Sequence, residues 1–89
     1  MRYMVVERFK TPGAADVYRR FAEKGRMMPD SLRYLDSWIS ADMRICYQLM
    51  ETDDYAAFAQ WTRNWDDLVD FEIVPVMSSA EARAKAAVQ

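Results

Sequence analysis

Runs of apolar residues with period two and runs with helical spacing follow one another in the order strand, helix, strand, strand, helix, strand, and that order limits this chain more than any single motif does. Residues Arg2 to Phe9 alternate, with Tyr3, Val5, Glu7 and Phe9 on one face of a strand and Met4 and Val6 on the other. Thr11, Pro12 and Gly13 then break the strand and open a helix, Thr11 as N-cap and Pro12 at the first helical position, where its missing N–H costs nothing. Ala14, Val17, Tyr18, Phe21 and Met28 follow the apolar stripe of this helix; Gly25 is a candidate stop, and Pro29 with Asp30 ends it.

A second strand is expected over Leu32 to Ser40, a tight turn at Ala41 and Asp42, and a third strand over Arg44 to Glu51. The loop length is not set by the pattern, and one residue of difference exchanges the faces of a strand. Asp53 and Asp54 suit the positive end of a second helix, which carries Tyr55, Phe58, Trp61 and Trp65. Leu68 to Met77 returns to period two, and Pro75 assigns this fourth strand to an edge or a bulge. Ser78 and Glu81 form a capping box for a last helix over Ala80 to Val88, whose alanine-rich surface has little to bury.

With right-handed crossovers, the order βαββαβ closes into one four-stranded antiparallel sheet, strands one and three central and both long helices on one face. This is the α+β, ferredoxin-like arrangement, here expected over residues 1–77, with residues 78–89 as a C-terminal helix or tail. Both faces of the outer and central strands carry apolar residues: Val5 and Phe9 against Met4 and Val6, Phe71 and Ile73 against Val74 and Val76. A second subunit is the economical cover for the face without helices. An 89-residue chain also buries only about 60 to 65% of its unfolded surface, so a homodimer partner would add stability.

Absences narrow the chemistry. The chain has no histidine, the commonest general base and metal ligand, and a single cysteine, so no metal site is expected. Its two glycines, Gly13 and Gly25, build no phosphate-binding loop, and no cofactor is implied. Twelve Lys and Arg are dispersed among fourteen Asp and Glu, with a formal charge of −2 and no basic run, which argues against nucleic acid as partner. The RNA-recognition domain shares this topology, but the third strand reads RICYQLM, without the glycine-and-aromatic pattern that stacks bases. No segment has the length and apolarity of a membrane span; the start MRYMVVERF reads as a strand rather than a signal sequence, and the lone Cys46 fits a reducing, cytoplasmic setting.

Polar residues within strands are the candidates for function. Gln48 lies mid-strand between Tyr47 and Leu49, and Glu7 lies among apolar residues of the other central strand. Both either point into a cavity or hydrogen-bond to backbone or across a dimer interface. Asp36 is expected to share a face with Tyr34 and Trp38, a carboxylate flanked by aromatics; it serves either as a proton acceptor or as the partner of Arg33, Arg44 or the second subunit. Trp61 and Trp65, one turn apart, read as core or as the wall of a pocket between helix and sheet. Asp70 and Glu72 read as a solvent face or as paired carboxylates, and Cys46 as a small buried hydrophobe. A ligand cleft would draw on Tyr34, Asp36, Trp38, Tyr47, Gln48 and Trp61, with Asp36 and Glu7 as the candidate catalytic carboxylates.

The segments LRYLDSW, CYQLMETDD and WTRNWDDLVDFEIVPV, with the length and element order, resemble a small bacterial family of unknown function in the dimeric α/β-barrel superfamily, and the likeness covers almost the whole chain. The resemblance implies the fold and pairing into a dimeric barrel. For activity it implies only a range: cofactor-independent monooxygenases, muconolactone-isomerase-like enzymes, haem-degrading proteins and stress-associated proteins. No catalytic motif of those groups is matched residue by residue, and the histidine several of them use has no counterpart here. Two functions are therefore expected in order: a small homodimer that binds a small apolar or aromatic metabolite, or a cofactor-independent monooxygenase or isomerase acting on an aromatic-type small molecule.

Overall fold

The computed structural model describes residues 1–10 and 14–88. The elements run β1 (Arg2–Phe9), α1 (Ala15–Lys24), β2 (Arg33–Ile39), β3 (Ile45–Glu51), α2 (Ala57–Thr62), β4 (Val69–Val76) and α3 (Ser79–Ala87). The four strands form one antiparallel sheet in the order β2-β3-β1-β4, a ferredoxin-like α+β fold with a C-terminal helix. The expected opening of α1 at Thr11 and Pro12 lies outside the described residues.

Local chemistry accounts for the element ends. Gly25 terminates α1 with φ of 67° and donates its N–H to the Phe21 carbonyl at 2.8 Å; the left-handed half of backbone space it occupies penalises a side chain. The tight turn expected at Ala41 and Asp42 is present, closed by the Met43 N–H on the Ser40 carbonyl at 2.8 Å, within a β2–β3 connection of residues 40–44. Ser40 organises it: its Oγ donates to Asp42 at 2.6 Å and accepts from the N–H of Ile45 at 3.0 Å. Pro75 lies on β4, an edge strand, where a missing donor breaks no second ladder. Ser78 and Glu81 close the anticipated capping box on α3.

The α2 helix is shorter than its apolar stripe suggests. Beyond Thr62 the chain continues in turns with Asn64 bonded to Trp61 and Trp65 to Thr62, and this tighter winding still brings Trp65 inward. The core sits between the sheet and the helices: Val5, Met50, Phe58 and Trp61 are fully enclosed, with Leu32, Ala57 and Trp65 packed among them. Phe58 meets Tyr3 edge-on at 5.1 Å and Trp61 meets Phe71 at 5.4 Å, so aromatic edges weld α2 to the two strands beneath it.

One irregularity decides which side chains meet. Tyr34 pairs with Met50, but the next pair is Asp36 with Leu49, so Leu35 is an extra residue, a β-bulge in β2. Before the bulge Tyr34 faces the helices with Met50. After it, Ser37 and Ile39 share that face with Gln48 and Cys46, while Asp36 and Trp38 turn to the opposite face with Leu49 and Tyr47. The expected grouping of Tyr34 with Asp36 and Trp38 on one face therefore does not occur, because strict alternation fails at the bulge.

Candidate functional site

A cleft of about 200 Å³ opens between α1 and the sheet. Its floor is the helix-facing side of the central strands, with Glu7 from β1, Cys46 and Gln48 from β3 and Ser37 from β2; Val17, Tyr18 and Phe21 of α1 form one wall, and Trp61 and Trp65 another. All three α1 side chains line the space, and Val17 also packs against the core. No residue of α1 is fully buried, as expected for a helix standing over a cavity rather than sealing a core.

Glu7 is 6% exposed and Gln48 8%, the two polar side chains most enclosed at this site. Gln48 donates its amide nitrogen to the Glu7 carboxyl, and its amide oxygen accepts from the Arg26 Nε at 3.4 Å. A chain Arg26, Gln48, Glu7 results, in which the amide separates a cation from an acid. Burial pushes the Glu7 carboxyl up from 4.5 to about 7, outweighing the Gln48 hydrogen bond and the Arg26 charge, which both favour the carboxylate. Burial also pushes the Cys46 thiol up to about 12, with Glu7 adding to the effect and Arg26 opposing it. Partial burial, Cys46 and Glu7 together raise the Tyr18 phenol as well.

Arg26 is held from several sides. Its guanidinium lies 3.7 Å from the centre of the Tyr34 ring and 5.0 Å from that of Phe21. Its backbone carbonyl accepts both indole N–H groups, from Trp61 and Trp65, each at 3.0 Å, and the Asn64 side chain bonds the next carbonyl, Met27, at 3.1 Å. Tyr34 in turn shares a hydrogen bond of 2.6 Å with Ser37. The segment after α1 is therefore pinned to the α2 region, and the arginine is preorganised rather than free to swing.

Of the residues singled out in the sequence, Glu7, Cys46, Gln48, Trp61 and Trp65 meet in this cleft, and Tyr34 supports it through Arg26. Asp36, Trp38 and Tyr47 lie on the other face of the sheet, away from it; Asp36 bonds the N–H of Ser37 at 2.8 Å. Asp70 and Glu72 lie on that same outer side, and Glu72 pairs with Arg8 at 3.0 Å. Arg26, Ser37, Tyr18 and Phe21 were not singled out. The signal for Arg26 was a lone cation between Gly25 and the apolar Met27-Met28-Pro29; for Ser37 it was hidden by the bulge. Among the described residues no cluster of three metal-ligating side chains occurs. The cleft's donor set, a carboxyl, an amide, a hydroxyl, a thiol and a guanidinium amid aromatics, suits an organic ligand with a polar end.

No helix among the described residues is long and apolar enough to cross a membrane. No curated protein and no solved structure matches the chain. Residues 1–89, the whole chain, match the family described as a domain of unknown function, DUF3303, and the protein belongs to that family.

Proposed function

We propose that the chain is a homodimeric protein that binds a small apolar or aromatic molecule in the cleft between α1 and the sheet. The observation that carries this reading is an enclosed carboxyl, Glu7, facing an apolar-walled space of about 200 Å³ instead of a packed core. An apolar protein cavity of about 150 Å³ takes benzene, so the cleft has room for one ring and a small polar group. Thermal shift against a panel of small aromatic and apolar compounds tests it. A hit that raises the melting temperature of the native chain, and loses its effect in Val17→Trp, which fills the cleft, is the expected result. A panel without hits, or hits that Val17→Trp leaves untouched, overturns it.

The homodimer rests on the outer face of the sheet. Met4, Val6, Trp38, Tyr47, Leu49 and Val74 share that face by register, and Trp38 is 52% exposed in the single chain. A second copy packed sheet to sheet would cover this surface and give the dimeric barrel that the sequence resembles.

A second reading is favoured by the position of the Glu7 carboxyl near neutrality. Such a group removes and returns protons efficiently near pH 7. In an isomerase, Glu7 as carboxylate takes a proton from a carbon beside a carbonyl and returns it at another carbon. The bonds shift without net oxidation, and the Arg26–Gln48 end of the chain steadies the oxyanion formed between the two steps. A cofactor-independent oxygenase would begin with the same proton removal but needs dioxygen as oxidant. Glu7→Gln is expected to slow a detected turnover by about 10² to 10⁴. Unchanged turnover would exclude Glu7 as the base.

A further inference from the structure

We infer that the cleft takes a small organic carboxylate, its anionic head paired with the terminal nitrogens of Arg26 and its apolar body, about one ring in size, set against Val17, Phe21 and Trp61; this rests on reading the cleft as the ligand site. Three observations support it. Arg26 makes no ion pair: among the described residues no carboxylate oxygen lies within the 4.0 Å that marks the other pairs of the chain, and Glu7 reaches it only through Gln48. Its Nε is engaged by Gln48, and the Tyr34 and Phe21 rings hold the guanidinium carbon, yet its terminal nitrogens donate to no described side chain or backbone group. The edge left over is the forked one that matches a carboxylate with two parallel hydrogen bonds.

The second observation is rigidity. Two indole N–H groups converge on the Arg26 carbonyl and Asn64 fixes the Met27 carbonyl, which pins the backbone, while the Tyr34 and Phe21 rings and Gln48 hold the guanidinium, so the cation's position is set before any ligand arrives. The third is the apolar roof. An anion that needed only charge would find exposed arginines elsewhere, whereas Val17, Phe21 and Trp61 reward an acid with a hydrophobic body.

A bound anion has a further consequence at Glu7. The groups facing that carboxyl are Arg26 from the loop after α1, Cys46 and Gln48 from β3 and Tyr18 from α1; β4 offers Phe71 opposite it, α2 the Trp61 indole and the turns after α2 the Trp65 indole. Arg26 is the one cation in that set. A ligand carboxylate that neutralises it removes the charge favouring the Glu7 anion and adds a like charge, so Glu7 holds its proton as the ligand binds. Binding then takes up a proton above about pH 7, and affinity falls by up to about tenfold for each further unit.

Calorimetric titration of the full chain with benzoate and with the neutral benzamide, from about pH 6 to about pH 9, tests this. Benzoate is expected to bind about tenfold or more tighter than benzamide. Arg26→Gln should erase the difference, and Glu7→Gln should flatten the pH dependence while keeping the preference. If Arg26→Gln fails to fold, Arg26→Lys and the wild-type pH dependence decide. Equal binding of benzamide and benzoate overturns the carboxylate inference and leaves the cleft as a ligand site. Benzoate binding that ignores pH and every variant overturns it too, by placing the anion elsewhere. Absence of binding by both compounds overturns the carboxylate inference, and the thermal-shift panel then decides whether the cleft takes any ligand.

Discussion

Gln48 donates to the Glu7 carboxyl across a diagonal of the sheet: in the ladder Gln48 pairs with Val5, and Glu7 pairs with Cys46. The diagonal reach lets one amide serve two groups, Glu7 through its nitrogen and Arg26 through its oxygen. An amide in that position cannot rotate without losing both bonds, so the buried acid and the nearby cation are held at a set spacing.

That arrangement predicts how stability varies with pH. The folded chain holds the Glu7 proton up to about pH 7, whereas the unfolded chain releases it near 4.5, so between those values the unfolded state binds fewer protons and stability falls as pH rises. The contribution is complete below about 4.5 and lost above about 7, and amounts to about 3 kcal/mol. Urea unfolding across this window should show the decline in the wild type and a flatter curve in Glu7→Gln. Parallel curves would mean that Glu7 ionises in the fold as it does in water.

Cys46 should be inert. With its thiol pushed up to about 12, almost no thiolate exists near pH 8, and the side chain is partly enclosed. A disulfide reagent such as dithionitrobenzoate is expected to react slowly with the native chain and fast in urea. Native reaction at the rate of a free thiol would contradict the burial that raises it.

The paired indoles should behave non-additively. Trp61→Phe or Trp65→Phe leaves the Arg26 carbonyl with one of its two donors, while the double variant removes both. Each single change is expected to cost about 1 kcal/mol of hydrogen bonding, in addition to lost packing, and the double variant more than the sum. A double-mutant cycle in urea reads the excess directly. Strict additivity would show that the carbonyl finds water as easily as indole.

Breaking the outer face should separate the proposed subunits. Leu49 lies on that face beside Tyr47 and Trp38, and Leu49→Arg would bury a charge without a partner in any sheet-to-sheet dimer. Light scattering is expected to give twice the chain mass of 10.5 kDa for the wild type and the single mass for the variant. A wild-type mass of one chain at micromolar concentration would remove the dimer.

Periodicity and residue chemistry were enough to read the order of elements, the two central strands, the edge or bulge that Pro75 demands and the Ser78–Glu81 cap, because each depends on neighbours in sequence or on a backbone donor that proline lacks. Glu7 and Gln48 were likewise visible as polar residues out of place in central strands. Their partnership was not, since it depends on the diagonal offset between β1 and β3. Only the tertiary structure decided the rest. The bulge at Leu35 sent Asp36 and Trp38 away from Tyr34, and an extra residue in one strand is compatible with the same alternation read from sequence. Arg26 became part of the site because two tryptophans 35 and 39 residues away in sequence donate to its carbonyl. Local pattern determines which face a residue prefers; long-range hydrogen bonds and register determine which residues on that face meet.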